Sequence, residues 1–164
     1  FTLKNNCAND IQPVIANARC GYSPRCANAT SYTGAQPGSI LANGGSVPVT
    51  IPSAWVGRVF ANTPACGASG ENCTITEFNL DTGSNYTAQN YDISNIQGFT
   101  QSVQISSDLC PTHTVTCTNA NCGARLFPNI VLTTGCGGDH PVQACGPGDV
   151  QFTGTPPFLC PGHN

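Results

Sequence analysis

Hydrophobic and polar residues alternate over short runs along most of this chain, and the runs are separated by turn-forming residues. A period of two places alternate side chains on opposite faces of a strand. Phe1-Thr-Leu-Lys-Asn5 predicts a first strand with Phe1 and Leu3 inward. Ile11-Gln-Pro-Val-Ile15 predicts a second, and Pro13 consigns it to a sheet edge or a bulge because proline lacks the N–H a central strand needs. Ala42-Asn-Gly-Gly-Ser46 reads as a hairpin turn, since Asn-Gly supplies the positive backbone angles of such turns. Val47, Val49 and Ile51 alternate into the next strand, an imperfect central one given Pro48 and Pro52. Phe99-Thr-Gln-Ser-Val-Gln-Ile105 closes the series, with Phe99, Val103 and Ile105 on one face.

Two further runs carry acids on the parity opposite to their apolar residues. In Ile75-Thr-Glu-Phe-Asn-Leu80, Phe78 and Leu80 share a face and Glu77 points the other way; in Tyr91-Asp-Ile-Ser94, Tyr91 and Ile93 are inward and Asp92 outward. Two outward acids on one sheet would line a surface groove. In Val56-Gly-Arg-Val-Phe60, Arg58 shares the parity of Val56 and Phe60, so alternation alone does not force it onto the acidic face. Trp55, the only tryptophan, sits in an apolar run and is expected in the core. No helical periodicity survives and no repeat is present. The fold class is therefore all-β, a sandwich of many short strands, in a single domain over 1–164: a core over 1–109 and a loop-rich, cysteine-rich region over 110–164.

Composition narrows the function. Charged residues make up 8% of the chain, with 5 Lys plus Arg against 8 Asp plus Glu and a formal net charge of −3. Clustered cations of the kind that grip phosphate are missing, which argues against a nucleic-acid partner and removes the usual electrostatic term for anionic membranes. No apolar run approaches the roughly 20 residues that span a bilayer. Eleven cysteines with no methionine point to an oxidised, secreted protein, extracellular or in a cell wall. The first residues read directly as a strand, so the chain is expected to be a mature, processed one. Sequons at Asn28, Asn72 and Asn85 agree with a secretory route and mark candidate glycosylation sites.

Proximity alone pairs Cys66 with Cys73 and Cys20 with Cys26 across turn-rich segments. A metal reading exists around Cys110, His113, Cys117, Cys122, Cys136 and His140, but these spacings fit no compact zinc pattern, and no metal or cofactor is expected. His163 likewise has no local motif of a catalytic base.

Ile75-Thr-Glu-Phe78 followed by Tyr91-Asp-Ile-Ser-Asn-Ile-Gln-Gly-Phe99 resembles the acidic-cleft signature of thaumatin-like proteins, and Trp55-Val-Gly-Arg-Val-Phe-Ala-Asn-Thr63 resembles that family's arginine strand. The resemblance starts at Phe1-Thr-Leu-Lys-Asn-Asn-Cys7 and after Cys110 thins to a cysteine pattern and Phe158-Leu-Cys-Pro161; the tryptophan usual near the second strand is absent. It implies a thaumatin-like sandwich in a reduced form, with the second region closing back on the first strand through a Cys7–Cys160 pair. Cys110, Cys117, Cys122, Cys136 and Cys145 then remain, an odd set, so one is free, modified or joined to a partner; the chain is otherwise expected to be a monomer.

The resemblance also implies a set of Arg, Glu and three Asp. Arg58, Glu77 and Asp92 match its first three positions, Gln97 stands at the fourth, and Asp108, Asp139 or Asp149 could supply the fifth without matching a motif. It places Arg58 with the acids, which a bulge at Gly57 would allow. The implied ligand is β-1,3-glucan of fungal cell walls, in defence or wall remodelling. A weak endo-1,3-β-glucanase would use Glu77 as acid and Asp92 as base or stabiliser. A non-catalytic binding module would use the same residues, with Arg58 and Gln97 hydrogen-bonding sugar hydroxyls and Tyr91, Tyr86 or Phe99 stacking on a ring. The remaining readings are a secreted inhibitor or interaction protein whose cleft is incidental, and a plain surface ion network.

Overall fold

In the computed structural model, the residues described are 1–18, 29–80, 90–95, 98–108, 114–118, 143–144 and 157–158. Ten strands run through them: β1 (Thr2–Asn5), β2 (Pro13–Asn17), β3 (Gly45–Pro48), β4 (Val56–Ala61), β5 (Ile75–Asn79), β6 (Asn90–Ser94), β7 (Val103–Ile105), β8 (Val115–Cys117), β9 (Gln143–Ala144) and β10 (Pro157–Phe158). No helix occurs among the described residues, and none therefore is long and apolar enough to cross a membrane. The protein is all-β.

The strands form two five-stranded sheets, ordered β3-β1-β10-β7-β8 and β2-β4-β5-β6-β9. Every pairing is antiparallel except β1 with β10, where Lys4 faces Pro157 and Asn5 faces Phe158. Inward residues of both sheets merge in one apolar core. Leu3, Val103, Ile105 and Val115 come from the first sheet, and Ile15, Val59, Phe78, Tyr91 and Ile93 from the second. Burying such side chains contributes about 1.5 to 3 kcal/mol each relative to exposure, which is what holds the sheets together.

Trp55 is fully buried just before β4, and its indole N–H donates to Asn17 Oδ1 at 2.8 Å. Phe1 packs edge-on to it at 6.1 Å and tilts against Phe78 at 4.7 Å, a three-ring cluster at one end of the core. The fully buried Asn5 is satisfied: its amide donates to the Asn9 and Ile40 carbonyls (2.8 and 2.9 Å) and its Oδ1 accepts from the Cys7 N–H at 2.8 Å. Such a buried amide is tolerated because each of its bonds is made.

Pro13 opens β2, and β2 is an edge strand, the place proline permits. Its outer edge is closed by side-chain amides. Gln36 accepts from the Ile15 N–H at 2.8 Å and donates to the Ile15 carbonyl at 2.9 Å, and Asn17 makes the same two-way pairing with the Tyr32 backbone. Edge protection of this kind removes a template for pairing with another chain.

Three expectations need correction. The turn at Ala42-Asn43-Gly44 has the expected backbone, with φ of 57° at Asn43 and 106° at Gly44, but it is not a hairpin. Its N–H groups donate to the Cys7 and Asn5 carbonyls, and the strand that follows pairs with β1. The segment before it instead forms an isolated bridge, Ile40 with Ile11, just ahead of β2. Consequently β3 is an edge strand rather than a central one. Lastly, the region after Cys110 read as loops, yet it supplies β8, β9 and β10. Strands of 2 or 3 residues are too short to display a period of two.

Cys66 and Cys73 are disulfide-bonded, as their proximity in sequence predicts. Cys7 and Cys117 are disulfide-bonded too, with partners outside the described residues. Cys20, Cys26, Cys110, Cys122, Cys136, Cys145 and Cys160 lie outside them as well, as do Asn28, Asn85 and the three histidines. Asn72 is exposed, in a left-handed turn (φ 64°) that leads into β5.

A candidate saccharide-binding row

Regular pairing across three neighbouring strands builds the site. On β4 and β5, Arg58 stands directly opposite Glu77; on β5 and β6, Glu77 stands directly opposite Asp92. Ala16 of β2 extends the same row beyond Arg58 with a side chain too small to cover it. Strands in a sheet lie about 4.8 Å apart, so one line of side chains crosses the sheet at right angles to its strands. All three charged residues are half-buried and face away from the core, while Val59, Phe78 and Tyr91 beside them face into it.

No bulge re-aims Arg58, contrary to expectation. The register runs without interruption from Val56↔Asn79 to Val59↔Thr76. Arg58 does share the parity of Val56 and Phe60, and that parity is the outer one; Val59 and Ala61 are the inward pair. Phe60 misleads because it is buried on the outer face, under the segment between β4 and β5. Gly57 has a different task. A Cβ there would run into the indole of Trp55 and the Ala16 carbonyl, so glycine lets the ring lie flat beneath the strand.

The segment between β4 and β5 folds back over the sheet. Gly70 takes a φ of 87° and sits against the Phe60 and Ile75 side chains, an arrangement without room for a Cβ. Phe60, Ile75 and Cys73 are all buried by this cover, outside the main core. The cover is held from within by bonds from Gly67 N–H to the Glu71 carbonyl (2.9 Å), from Gly70 N–H to the Gly67 carbonyl (3.1 Å) and by the Cys66–Cys73 disulfide.

Arg58 joins the two structures. Its Nε donates to Glu77 Oε1 at 2.8 Å, with side-chain exposures of 26% and 30%, and its Nη1 reaches the Ser69 carbonyl of the covering loop at 3.5 Å. Glu71 Oε2 accepts from the Ser69 N–H at 2.9 Å. Hydrogen bonds from the backbone N–H groups of Glu71 and Ser69, joined by the Arg58 charge, hold the Glu71 carboxyl below its ordinary value. Glu71 and Ser69 escaped the sequence reading because the loop between the two cysteines has no periodicity; the Ser-x-Glu spacing inside it was the one available signal.

Of the other named residues, Tyr91, Phe99 and Asp108 are described, and none of them stands in the row. Tyr91 is 1% exposed and packed in the core, so its proposed role as a stacking platform is withdrawn; burial also pushes its phenol up from the ordinary value. Phe99 is half-buried against the core. Asp108 is exposed beyond β7, while Gln97, Tyr86, Asp139 and Asp149 lie outside the described residues. Among the described residues no group of three or more His, Cys, Asp or Glu is placed to hold a metal ion. A shallow cavity of about 260 Å³, lined by Gly38, Ser39, Ile40, Leu41, Gly45, Ser46 and Val47, shares no residue with the row and has no charged group.

Chemically, the row offers one guanidinium and two carboxylates in line, an array of donors and acceptors on an open surface. Compared with known proteins, the chain matches no family model and no curated sequence.

Proposed function

We propose that this protein is a secreted, thaumatin-like sandwich that binds β-1,3-glucan of fungal cell walls along the row Arg58, Glu77 and Asp92. The observation that carries the reading is the direct cross-strand opposition of these three residues, half-exposed on the face away from the core. Sugar hydroxyls both donate and accept, and a line of one guanidinium followed by two carboxylates answers both. The resemblance in Ile75-Thr-Glu-Phe78, in the Tyr91 to Phe99 stretch and in the Arg58 strand supports the family, and two packed sheets are what that resemblance implies.

Binding is favoured over hydrolysis. Glu77 is engaged as an acceptor by Arg58 Nε, the role of a carboxylate that holds a ligand rather than of a proton donor. A weak endo-glucanase is the second reading, and one observation favours it. Directly opposed residues hold their Cβ atoms about 4.5 to 5.5 Å apart, which suits the carboxyl separation of about 5 Å in retaining enzymes.

Retention on insoluble β-1,3-glucan, measured beside a reducing-sugar assay on the linear polymer, separates the possibilities. Retention that Arg58→Ala and Asp92→Asn abolish, without new reducing ends, supports the binding protein. Reducing ends that vanish in Glu77→Gln support the hydrolase. With neither retention nor cleavage the glucan reading is lost, and a protein-interaction role takes its place.

A further inference from the structure

The covering loop between Cys66 and Cys73 is more than a lid on Phe60 and Ile75. It brings two further groups to the guanidinium: the Ser69 carbonyl on Nη1 and the negatively charged Glu71 nearby. Arginine side chains are long and lose considerable rotamer freedom when held, so a single bond to Glu77 on Nε would orient Arg58 poorly. Contacts on two different nitrogens constrain the plane of the guanidinium. The Ser69 backbone is itself constrained by the Glu71 carboxylate on its N–H, and the whole turn by the disulfide and by the seat of Gly70 on the sheet.

We infer that the Cys66–Cys73 loop is a clamp that orients Arg58, with Glu71 as a positioning residue, so that closure of this disulfide sets how well the row binds a saccharide. The saccharide part rests on the glucan reading above; the clamp does not. Among the described residues, the charged groups around Arg58 are Glu77 on β5, Asp92 one strand further on β6, and Glu71 on the loop. Glu71 is the one among them that belongs to a segment tied by a covalent bond a reductant can open.

The test follows the Nε–H resonance of Arg58 in proton–nitrogen spectra, a direct reporter of its bond to Glu77, together with titration by a β-1,3-linked glucose hexasaccharide. Three forms are compared: the oxidised protein, Glu71→Gln, and Cys66→Ala with Cys73→Ala. In the oxidised protein the resonance is expected to lie apart from those of exposed arginines and to exchange slowly with water. In the double variant it should move to the exposed position while the amide spectrum stays dispersed. Hexasaccharide affinity should then fall about tenfold, the equivalent of one charge-assisted hydrogen bond. Glu71→Gln, at a fully exposed side chain with the disulfide intact, should move the resonance in the same direction by a smaller amount, and it decides the matter if the double variant does not fold. An Arg58 resonance unchanged in Glu71→Gln and in any folded double variant overturns the clamp, even where the hexasaccharide binds. A resonance that responds in a protein with no affinity for the hexasaccharide leaves the clamp standing and removes the glucan reading instead.

Discussion

The two faces of the sheet β2-β4-β5-β6-β9 are built from the same strands, one residue out of phase, and they obey different physics. On the inner face Val59, Phe78, Tyr91 and Ile93 are sealed from water and touch the opposite sheet. On the outer face Arg58, Glu77 and Asp92 stay half in solvent. Inner residues act through volume, because a packed interior loses both transfer energy and contacts when atoms are removed. Outer residues act through charge, and water screens most of what their charges could contribute to folding. Stability therefore resides on one side of the sheet and the proposed recognition on the other, separated by a single step along the chain.

The strongest way to break that contrast is Phe78→Ala. It should cost about 3 to 5 kcal/mol in chemical denaturation, because the ring fills the space between Phe1 and Trp55. A cost below about 1 kcal/mol would mean that the inner face is not packed as described.

Removal of the Cys66–Cys73 disulfide comes next. The chain-entropy relation for so short a loop gives about 2 to 3 kcal/mol, read as a lower midpoint of unfolding for the double alanine variant. This is the one outer-face change with a sizeable structural effect, since Phe60 and Ile75 depend on the loop for cover.

Gly57→Ala should destabilise by about 1 to 3 kcal/mol, as overpacking does. Its Cβ would meet the Trp55 indole from the inner side, so tryptophan fluorescence should shift along with the melting temperature. Were the protein to accept alanine there with neither signal changed, the placement of the indole would be refuted.

The pH limbs sharpen the contrast further. Tyr91 has its folded pKa raised by burial, so its contribution is fully present below the unfolded value, about 10, and is lost as pH rises through the folded one. Tyr91→Phe should flatten that alkaline limb of the stability profile. Glu71, on the outer side, has its folded pKa below the ordinary 4.5, so its contribution is present above that value and lost as pH falls through the folded one. Glu71→Gln should remove only this faint acid limb, a difference that thermal melts across pH would resolve.

The smallest effect on folding is assigned to Arg58→Ala, about 0 to 1 kcal/mol, because the pair with Glu77 is only partly desolvated. That substitution should nonetheless abolish retention on β-1,3-glucan. A large loss of stability with retention intact would invert the division between the faces.

How far the site could be read in advance depended on distance along the chain. Alternation placed Glu77 and Asp92 outward and Phe78, Tyr91 and Ile93 inward, and the structure has them so. The same alternation left Arg58 unplaced, because Phe60 shares its parity and a large aromatic reads as inward; only the resemblance put Arg58 with the acids. A side chain's hydrophobicity reports that it is covered, and says nothing of what covers it. Tyr91 was assigned both to the core and to a sugar platform, and its own parity excluded the second. Glu71 and Ser69 gave no periodic signal, because turns carry none.

By itself, then, the chain's composition and period of two determined an all-β protein, the outward direction of Glu77 and Asp92, the inward direction of Phe78, Tyr91 and Ile93, the core position of Trp55 and the closure of Cys66 on Cys73. These are local properties, set by backbone geometry and by neighbours a few residues away. Only the tertiary structure decided that β4, β5 and β6 lie side by side in matching register, so that Arg58, Glu77 and Asp92 share one line, and that β1 pairs with β3 and β10 rather than with its neighbour in sequence. Strand pairing is a choice among distant segments whose outcome is fixed by the burial of a whole face at once, and no short window of residues contains that information.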